Sequence, residues 1–273
     1  MPKAFWLPGL IPAVIADVAD ALAGVFLPAG CRLCETLLTC ATRLPICEKC
    51  LDSFGVIGKE ICLRCGLPLD AFPAEPGEPA ADAASERHCG PCRMGAYHFD
   101  RARSVFRYED LVVRAMVMLK FEEMEPLAEW FGERLARRIS GDAAYAGVEL
   151  VVPVPLHKVR QRERGFNQAE LLSKRLARAL KLPHQGVLLV RKRPRPDKHL
   201  LTERERWEAV RGAFATRAGS RIDKKRVLLL DDVMTTGATL DACAKALRDA
   251  GAAEVCGLTV ARAVLRSPRR VNV

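Results

Sequence analysis

No stretch of about 18 uninterrupted apolar residues occurs in the 273-residue chain, so no ordinary membrane-spanning helix is expected. No long-period repeat is present beyond a duplicated pairing of cysteines. Cysteine itself is scarce in the second half, where only Cys243 and Cys256 occur, and both read as small core residues. Acidic residues are also short, with 33 Asp and Glu against 43 Lys and Arg, a net charge of +10. The deficit is concentrated between Leu156 and Arg226, where 21 Lys and Arg meet 7 Asp and Glu. That local excess of +14 is larger than the excess of the whole chain. Such a field favours an anionic partner, either a polyphosphate or a nucleic acid, although a solvated basic face has the same composition. What remains is ordinary for a soluble globular protein: 49% hydrophobic and 28% charged residues, in a length that suits one large or two smaller domains.

The first 27 residues carry an apolar run, Phe5 to Leu27, preceded by Lys3 and followed by Pro28-Ala29-Gly30-Cys31. A lipoprotein signal would look similar, but Asp17 and Asp20 interrupt the run and Pro28 stands where an aliphatic residue belongs. Residues 13–26 instead place Val14, Val18, Ala21, Leu22 and Val25 at helical spacing, which predicts an amphipathic helix within an N-terminal segment 1–27. Nine cysteines follow between Cys31 and Cys92. Eight form C-x-x-C pairs, a pattern that indicates zinc rather than disulfides and hence a reducing, cytoplasmic compartment. Taken in sequence order, Cys31, Cys34, Cys47 and Cys50 make one quartet, and Cys62, Cys65, Cys89 and Cys92 a second. These are two expected structural zinc sites, each with four thiolates and no open coordination position. Disulfides or redox thiols are the competing reading. Cys40 stands outside any pair, and His88 beside Cys89 reads as a bystander. A Pro- and Ala-rich stretch over Asp70–Glu86 reads as an insertion in the second quartet. The expected order is therefore a small double zinc ribbon over 28–95 and a larger domain over 96–273.

In the larger domain, helix and strand signals alternate. Helices are expected over Glu109–Leu119, Pro126–Ile139, Asn167–Leu180, Leu201–Val210 and Ala238–Ala250, the last closed by Gly251. Strands are expected over Val148–Val154, Val187–Val190, Arg226–Leu230 and Val255–Val260. The alternation predicts an α/β fold with a mostly parallel sheet covered on both faces. Trp130 and Trp207 read as packing residues rather than base-stacking platforms.

The most informative segment is Val227-Leu228-Leu229-Leu230-Asp231-Asp232-Val233-Met234-Thr235-Thr236-Gly237-Ala238-Thr239. An apolar strand there delivers Asp231 and Asp232 to the carboxyl edge of the sheet, where open α/β sheets bind ligands. Adjacent carboxylates suit vicinal ribose hydroxyls, with Mg²⁺ on a neighbouring polyphosphate. The backbone N–H groups of Val233–Thr239, with the hydroxyls of Thr235, Thr236 and Thr239, suit a phosphate monoester, and Gly237 lets the chain approach closely. Asp-Asp alone would read as a turn; the full string is far more specific. Upstream, Lys158, Arg160, Arg162 and Arg164 are expected on an anion-binding loop before a helix.

The string resembles the phosphoribosyl-pyrophosphate (PRPP) motif of type I phosphoribosyltransferases. Together with Val151-Val152-Pro153-Val154-Pro155-Leu156, Arg164-Gly165-Phe166-Asn167-Gln168, Ala261-Arg262 and Cys65-Gly66-Leu67-Pro68, it resembles the ComF family over about residues 20–263. The resemblance implies a type I phosphoribosyltransferase fold behind a double zinc ribbon. It implies Asp231 and Asp232 at the ribose hydroxyls as the candidate catalytic pair, and Thr235–Thr239 at the 5′-phosphate. It also implies pyrophosphate at the segment of Pro155, Leu156, Lys158, Arg160, Arg162 and Arg164. Two functions follow: a competence protein that handles incoming single-stranded DNA with the uptake machinery, or a Mg²⁺-dependent transferase that moves ribose phosphate from PRPP to a base or amine. Between Asp197 and Ala209 the chain departs from the family pattern. Leu201, Arg206 and Gly212-Ala213-Phe214 fit, while the usual Thr, Gln and Asn are replaced in a region the resemblance assigns to a hood over the acceptor.

Overall fold

A computed structural model describes residues 30–38, 42–69, 87–95, 97–122, 124–194, 202–220 and 222–264. The expected helix over 13–26, the insertion over 70–86, Cys40 and residues 195–201 lie outside the described residues. The chain divides into two compact units, Met1–Phe54 and Gly55–Val273. Composition changes near residue 95, whereas compactness divides the chain after Phe54, between the two cysteine quartets.

In the first unit the turn carrying Cys31 and Cys34 is closed by an antiparallel bridge between Gly30 and Leu37. A short helix, α1 (Glu48–Asp52), begins directly after Cys47. In the second unit, α2 (Gly90–Arg93) is followed by β1 (Arg101–Arg107), α3 (Asp110–Phe121) and α4 (Glu125–Ser140). Next come β2 (Leu150–Pro153), α5 (Lys158–Arg164), α6 (Gln168–Leu180) and β3 (Leu189–Arg191). The chain continues through α7 (Glu203–Val210), β4 (Phe214–Thr216), β5 (Arg226–Met234), α8 (Ala238–Asp249) and β6 (Glu254–Arg262).

Four strands form a parallel sheet in the order β1-β6-β5-β2. β3 and β4 form a separate antiparallel pair. Along β5, Val227 and Leu229 join one buried cluster with Leu240, Cys243 and Leu247 of α8. Strand periodicity turns Leu228 and Leu230, both fully buried, to the other layer, where α4 and α6 pack on the sheet. A strand covered on both faces has to be continuously apolar, and Val-Leu-Leu-Leu is. Cys243 and Cys256 are both fully buried, as expected.

Local signals set the helix ends. Asn167 caps α6 by accepting from the Ala169 N–H at 3.1 Å, while its amide donates to the Val154 carbonyl at 3.1 Å. That residue thus fixes the helix start against the end of β2. Thr202 and Glu205 form a reciprocal capping box on α7.

β4 was absent from the sequence expectation, and three further features depart from it. β1 was not anticipated, because three arginines in Arg101–Arg107 obscure a buried strand. Arg103 is nevertheless 5% exposed, satisfied by Asp142 at 3.1 Å and the Leu63 carbonyl at 2.9 Å. The basic segment Lys158–Arg164 is a helix rather than a loop, opened by His157, whose ring accepts from the Val159 N–H, and closed at Gly165 with φ of 81°. β5 continues four residues past Leu230, because β6 goes on pairing with it: Asp231 opposite Thr259, Met234 opposite Arg262.

The Cys62–Cys65 turn packs tightly on β1. Gly66 has φ of +68°, and a Cβ there would stand 2.6 Å from the Ala102 carbonyl oxygen. Gly66→Ala is therefore expected to destabilise the second unit by about 2 kcal/mol or more. A urea titration followed by tryptophan fluorescence checks this, and an unchanged midpoint would contradict the packing described.

Candidate binding cleft and metal centres

β2 ends at Pro153, and the Val154 N–H makes the last link to β5 at the Leu230 carbonyl, 2.8 Å. Beyond that point β5 has a neighbour on one side only. Asp231 and Asp232 emerge there, half-buried, at the mouth of a cleft of about 510 Å³. Each carboxylate is steadied by the next peptide: the Asp232 N–H donates to Asp231 Oδ1 at 2.9 Å and the Val233 N–H to Asp232 Oδ1 at 2.7 Å. Asp231 also lines the adjoining polar hollow with Val233, Thr235, Gly237 and Thr239. The structure thus brings the carboxylate pair and the Thr235–Thr239 loop to one place.

In that loop Gly237 caps α8 with φ of 86°. A side chain at Gly237 would meet Met234 Cε at 2.7 Å and Tyr97 Cε1 at 2.9 Å. Thr236 is buried, its hydroxyl accepting from the Ala238 N–H at 3.4 Å and its carbonyl accepting from the Tyr97 hydroxyl at 2.9 Å. Thr235 and Thr239 are half-buried at the hollow. The arrangement offers several N–H and O–H donors at the start of α8, a geometry that suits a phosphate.

The wall opposite the carboxylates is cationic. Pro155 and Leu156 line the cleft, and so do Arg160 and Arg164, one helical turn apart on α5. Lys158 and Arg162 face a different, open hollow with Gln161 and Gly165. The helix therefore sorts the four expected cations into two faces, and one pair lines the same cleft as the carboxylates.

Two further cations were not singled out from sequence. Lys120, near the end of α3, pairs with Asp232 Oδ2 at 3.1 Å. Burial alone would lower the pKa of its ammonium, but Asp232, Tyr108 and Asp231 together hold it above the ordinary lysine value. Arg191, at the end of β3, also lines the cleft, and its Nη2 is buried with no hydrogen-bond partner among the described residues. Burial lowers its pKa, against the pull of Cys243 and Asp231, yet a guanidinium stays charged. Arg164 is likewise lowered by burial, with Asp232 opposing. In sequence, Lys120 has no assigned role, since the expected helix stops at Leu119, and Arg191 is one of 21 cations in the basic stretch Leu156–Arg226. Only the fold distinguishes them.

An apolar strip completes the cleft. Phe121 is 67% exposed, and the Arg164 guanidinium lies 5.1 Å from its ring centre. Val117 and Tyr108 stand beside it. In the region expected as hood, Trp207 and Val210 line a separate cavity with His98 and Asp241. Trp130 packs on Phe106, with Arg134 over its ring, as a core-edge residue.

The eight paired cysteines converge into the two expected quartets. Within each, all four sulfurs lie within 4.8 Å of one another, and none of the eight is in a disulfide. Sulfur separations of 3.9 Å (Cys31–Cys50), 3.6 Å (Cys34–Cys47) and 3.5 Å (Cys65–Cys89) match the edge of a tetrahedron with Zn–S bonds of about 2.3 Å, and greatly exceed a disulfide bond. The Cys34 thiol is pulled down to about 6 by the Thr36 hydroxyl and N–H, so it is poised as a thiolate ligand. Both quartets therefore fit a metal, while His88 is not among the converging ligands.

Residues 167–269 match the phosphoribosyl transferase domain. The chain is 28% identical over 235 residues to competence protein F of Haemophilus influenzae, covering 80% of this chain and 96% of that protein. It is 30% identical over 222 residues to competence protein ComFC of Bacillus subtilis, covering 80% of this chain and 84% of that one. This chain belongs to the ComF family. A further relative is the DNA utilization protein YhgH of Escherichia coli, 28% identical over 231 residues, with 84% of this chain and 94% of that protein covered. The fold is accordingly that of a phosphoribosyltransferase with a parallel sheet, accompanied by two cysteine quartets in the N-terminal region. Among the described residues no helix is long and apolar enough to cross a membrane.

Metal analysis of the purified full-length chain should find two zinc ions per chain, with one lost in Cys34→Ser and the other in Cys65→Ser. Zero zinc in the wild type would contradict the quartets as metal centres.

Proposed function

We propose that this ComF-family chain binds PRPP or a closely related ribose phosphate, with Mg²⁺, and serves DNA uptake by handling single-stranded DNA in the cytoplasm. The observation that carries the reading is the meeting of Asp231 and Asp232 with the donor-rich Thr235–Thr239 loop and with Lys120, Arg160, Arg164 and Arg191 in one cleft. Two carboxylates accept from two ribose hydroxyls; the loop donates to the 5′-phosphate; the cations neutralise a pyrophosphate group across the cleft. Mg²⁺ would supply charge neutralisation on the polyphosphate. Lys120 balances Asp232 within the cleft, so ligand entry exchanges one ion pair for others and leaves no bare charge behind. The DNA role is supported by the names of the relatives, which refer to competence and DNA utilization. It is also supported by cations such as Lys158 and Arg162 that face away from the carboxylates.

A second reading, transfer of the ribose phosphate to an acceptor, is favoured by the strip of Val117, Phe121 and Tyr108. A planar acceptor could stack there beside the Arg164 guanidinium. The chain would then act electrostatically: Arg160 and Arg164 hold the departing pyrophosphate, and the carboxylates face the positive charge that develops on the ribose.

Calorimetric titration with PRPP and Mg²⁺ should show binding to the wild type and a loss of about 100-fold or more in the Asp231→Asn/Asp232→Asn double variant. Equal affinity in the two proteins would defeat the pocket. For the DNA role, single-stranded DNA affinity should fall steeply with salt. Replacing Arg160, Arg162 and Arg164 together by Ala should flatten the log–log slope by about 2, from about 0.7 per phosphate contact. A salt-independent interaction, or none, would defeat that part alone.

A further inference from the structure

The second cysteine quartet and the phosphate loop share a set of buried contacts that ligand binding alone does not require. Tyr97 is at their centre. It is 8% exposed and belongs to one buried cluster with Cys62, Cys65, Cys92, Phe99 and Met234. On one side its carbonyl accepts from the guanidinium of Arg64, which also reaches the Phe99 carbonyl at 3.4 Å. Arg64 sits inside the Cys62-x-x-Cys65 turn, and its own carbonyl accepts from the Ala102 N–H at 2.6 Å. On the other side the Tyr97 hydroxyl donates to the Thr236 carbonyl at 2.9 Å. The ring is stacked on Phe99 at 4.5 Å and lies so close beneath Gly237 that a Cβ would not fit between them. Burial holds the phenol well above its ordinary pKa, so it is a constant donor.

A second route runs parallel to the first. Arg262, 3% exposed, pairs with Met234 in the sheet register. Its guanidinium donates to the Cys65 carbonyl at 3.0 Å and lies 3.7 Å from the Cys65 sulfur. The same C-x-x-C turn is therefore bonded to both flanks of the loop, through Arg64 and Tyr97 to Thr236, and through Arg262 to the strand that leads into it.

We propose that Tyr97 is a positioning residue that couples the second quartet to the phosphate loop. Metal held by Cys62, Cys65, Cys89 and Cys92 thereby strengthens ribose-phosphate binding at Thr235–Thr239, and the ligand strengthens metal retention. The proposal rests on the reading of that loop as a phosphate site. Metal fixes the C-x-x-C turn; the turn fixes Arg64; Arg64 holds the Tyr97 main chain, and the hydroxyl holds Thr236 with its amides turned to the ligand. Because the coupling is between two binding equilibria, it must be reciprocal and equal in both directions. Cys31, Cys34, Cys47 and Cys50 lie in the other compact unit and serve as an internal control.

The test uses the full-length zinc-loaded chain with ribose 5-phosphate as probe. Chelator competition measures the zinc affinity of each site, the two sites being assigned with Cys34→Ser. Saturating ribose 5-phosphate should raise the affinity of the second site by about tenfold and leave the first unchanged. Tyr97→Phe keeps the ring and removes one hydrogen bond; it should weaken ribose 5-phosphate binding by about fivefold to tenfold and abolish the effect on zinc. Circular dichroism and zinc content of the variant should match the wild type. The coupling is overturned if ribose 5-phosphate binds the wild type yet leaves the second site unmoved, or if Tyr97→Phe retains the full effect. If ribose 5-phosphate does not bind the wild type at all, the phosphate-site reading falls first and the coupling with it.

Discussion

Pairing between β5 and β6 continues for four residues after β2 has stopped at Pro153, and every feature of the cleft follows from that mismatch. Had β2 run on, Asp231 and Asp232 would sit between two strands, where a pair of ionised carboxylates is costly. With β2 ended, the same residues stand at the rim of the sheet with a rigid backbone behind them and open space in front. The apolar run Val227–Leu230 anchors the strand from both layers, and Asn167 ties the start of α6 to Val154 beside it. The crevice is therefore a consequence of strand length and not of loop flexibility.

Electrostatics then determines what can enter. Two carboxylates face Lys120, Arg160, Arg164 and Arg191, so the cleft carries more positive than negative charge. A neutral sugar would use the carboxylates but leave the cations idle; a simple phosphate would do the reverse. A ribose carrying phosphate groups, the ligand we propose, would satisfy both walls. The Lys120–Asp232 ion pair compensates both of its largely buried charges. The second quartet is tied to the same region of the interior, because Arg64, through Tyr97, and Arg262 link the Cys62–Cys65 turn to the Thr235–Thr239 loop and the strand that leads into it.

Much of this was legible in the sequence where one local rule dominates. The helix beginning at Gln168 was announced by Asn167, the sheet by its uninterrupted aliphatic strands, and the two quartets by C-x-x-C spacing alone. The glycine of the Val233–Thr239 loop was readable because the chain there leaves no room for a side chain. Legibility failed where tertiary partners override local preference. No element is expected over Arg101–Arg107, because its three arginines mask a buried strand in which Asp142 and the Leu63 carbonyl satisfy Arg103. Asp231 and Asp232 read as lying just past the strand end at Leu230, because nothing local reveals that β6 keeps pairing beyond it. Lys158–Arg164 reads as a loop after a Pro-Val-Pro bend, and its helical form is what selects Arg160 and Arg164 for the cleft. Lys120 and Arg191 carry no sequence mark at all, since each is defined by an acidic residue more than 30 positions away.

The central claim is that adjacent carboxylates at the end of β5 recognise the two neighbouring hydroxyls of a ribose whose phosphate sits on the Thr235–Thr239 loop. The most direct measurement compares the affinities of ribose 5-phosphate and 2-deoxyribose 5-phosphate for the wild-type chain by calorimetry. The two probes differ by one hydroxyl and share everything else. A preference of about tenfold or more for the ribose form is predicted, since the deoxy sugar leaves one carboxylate without its donor. Equal affinities would contradict the account.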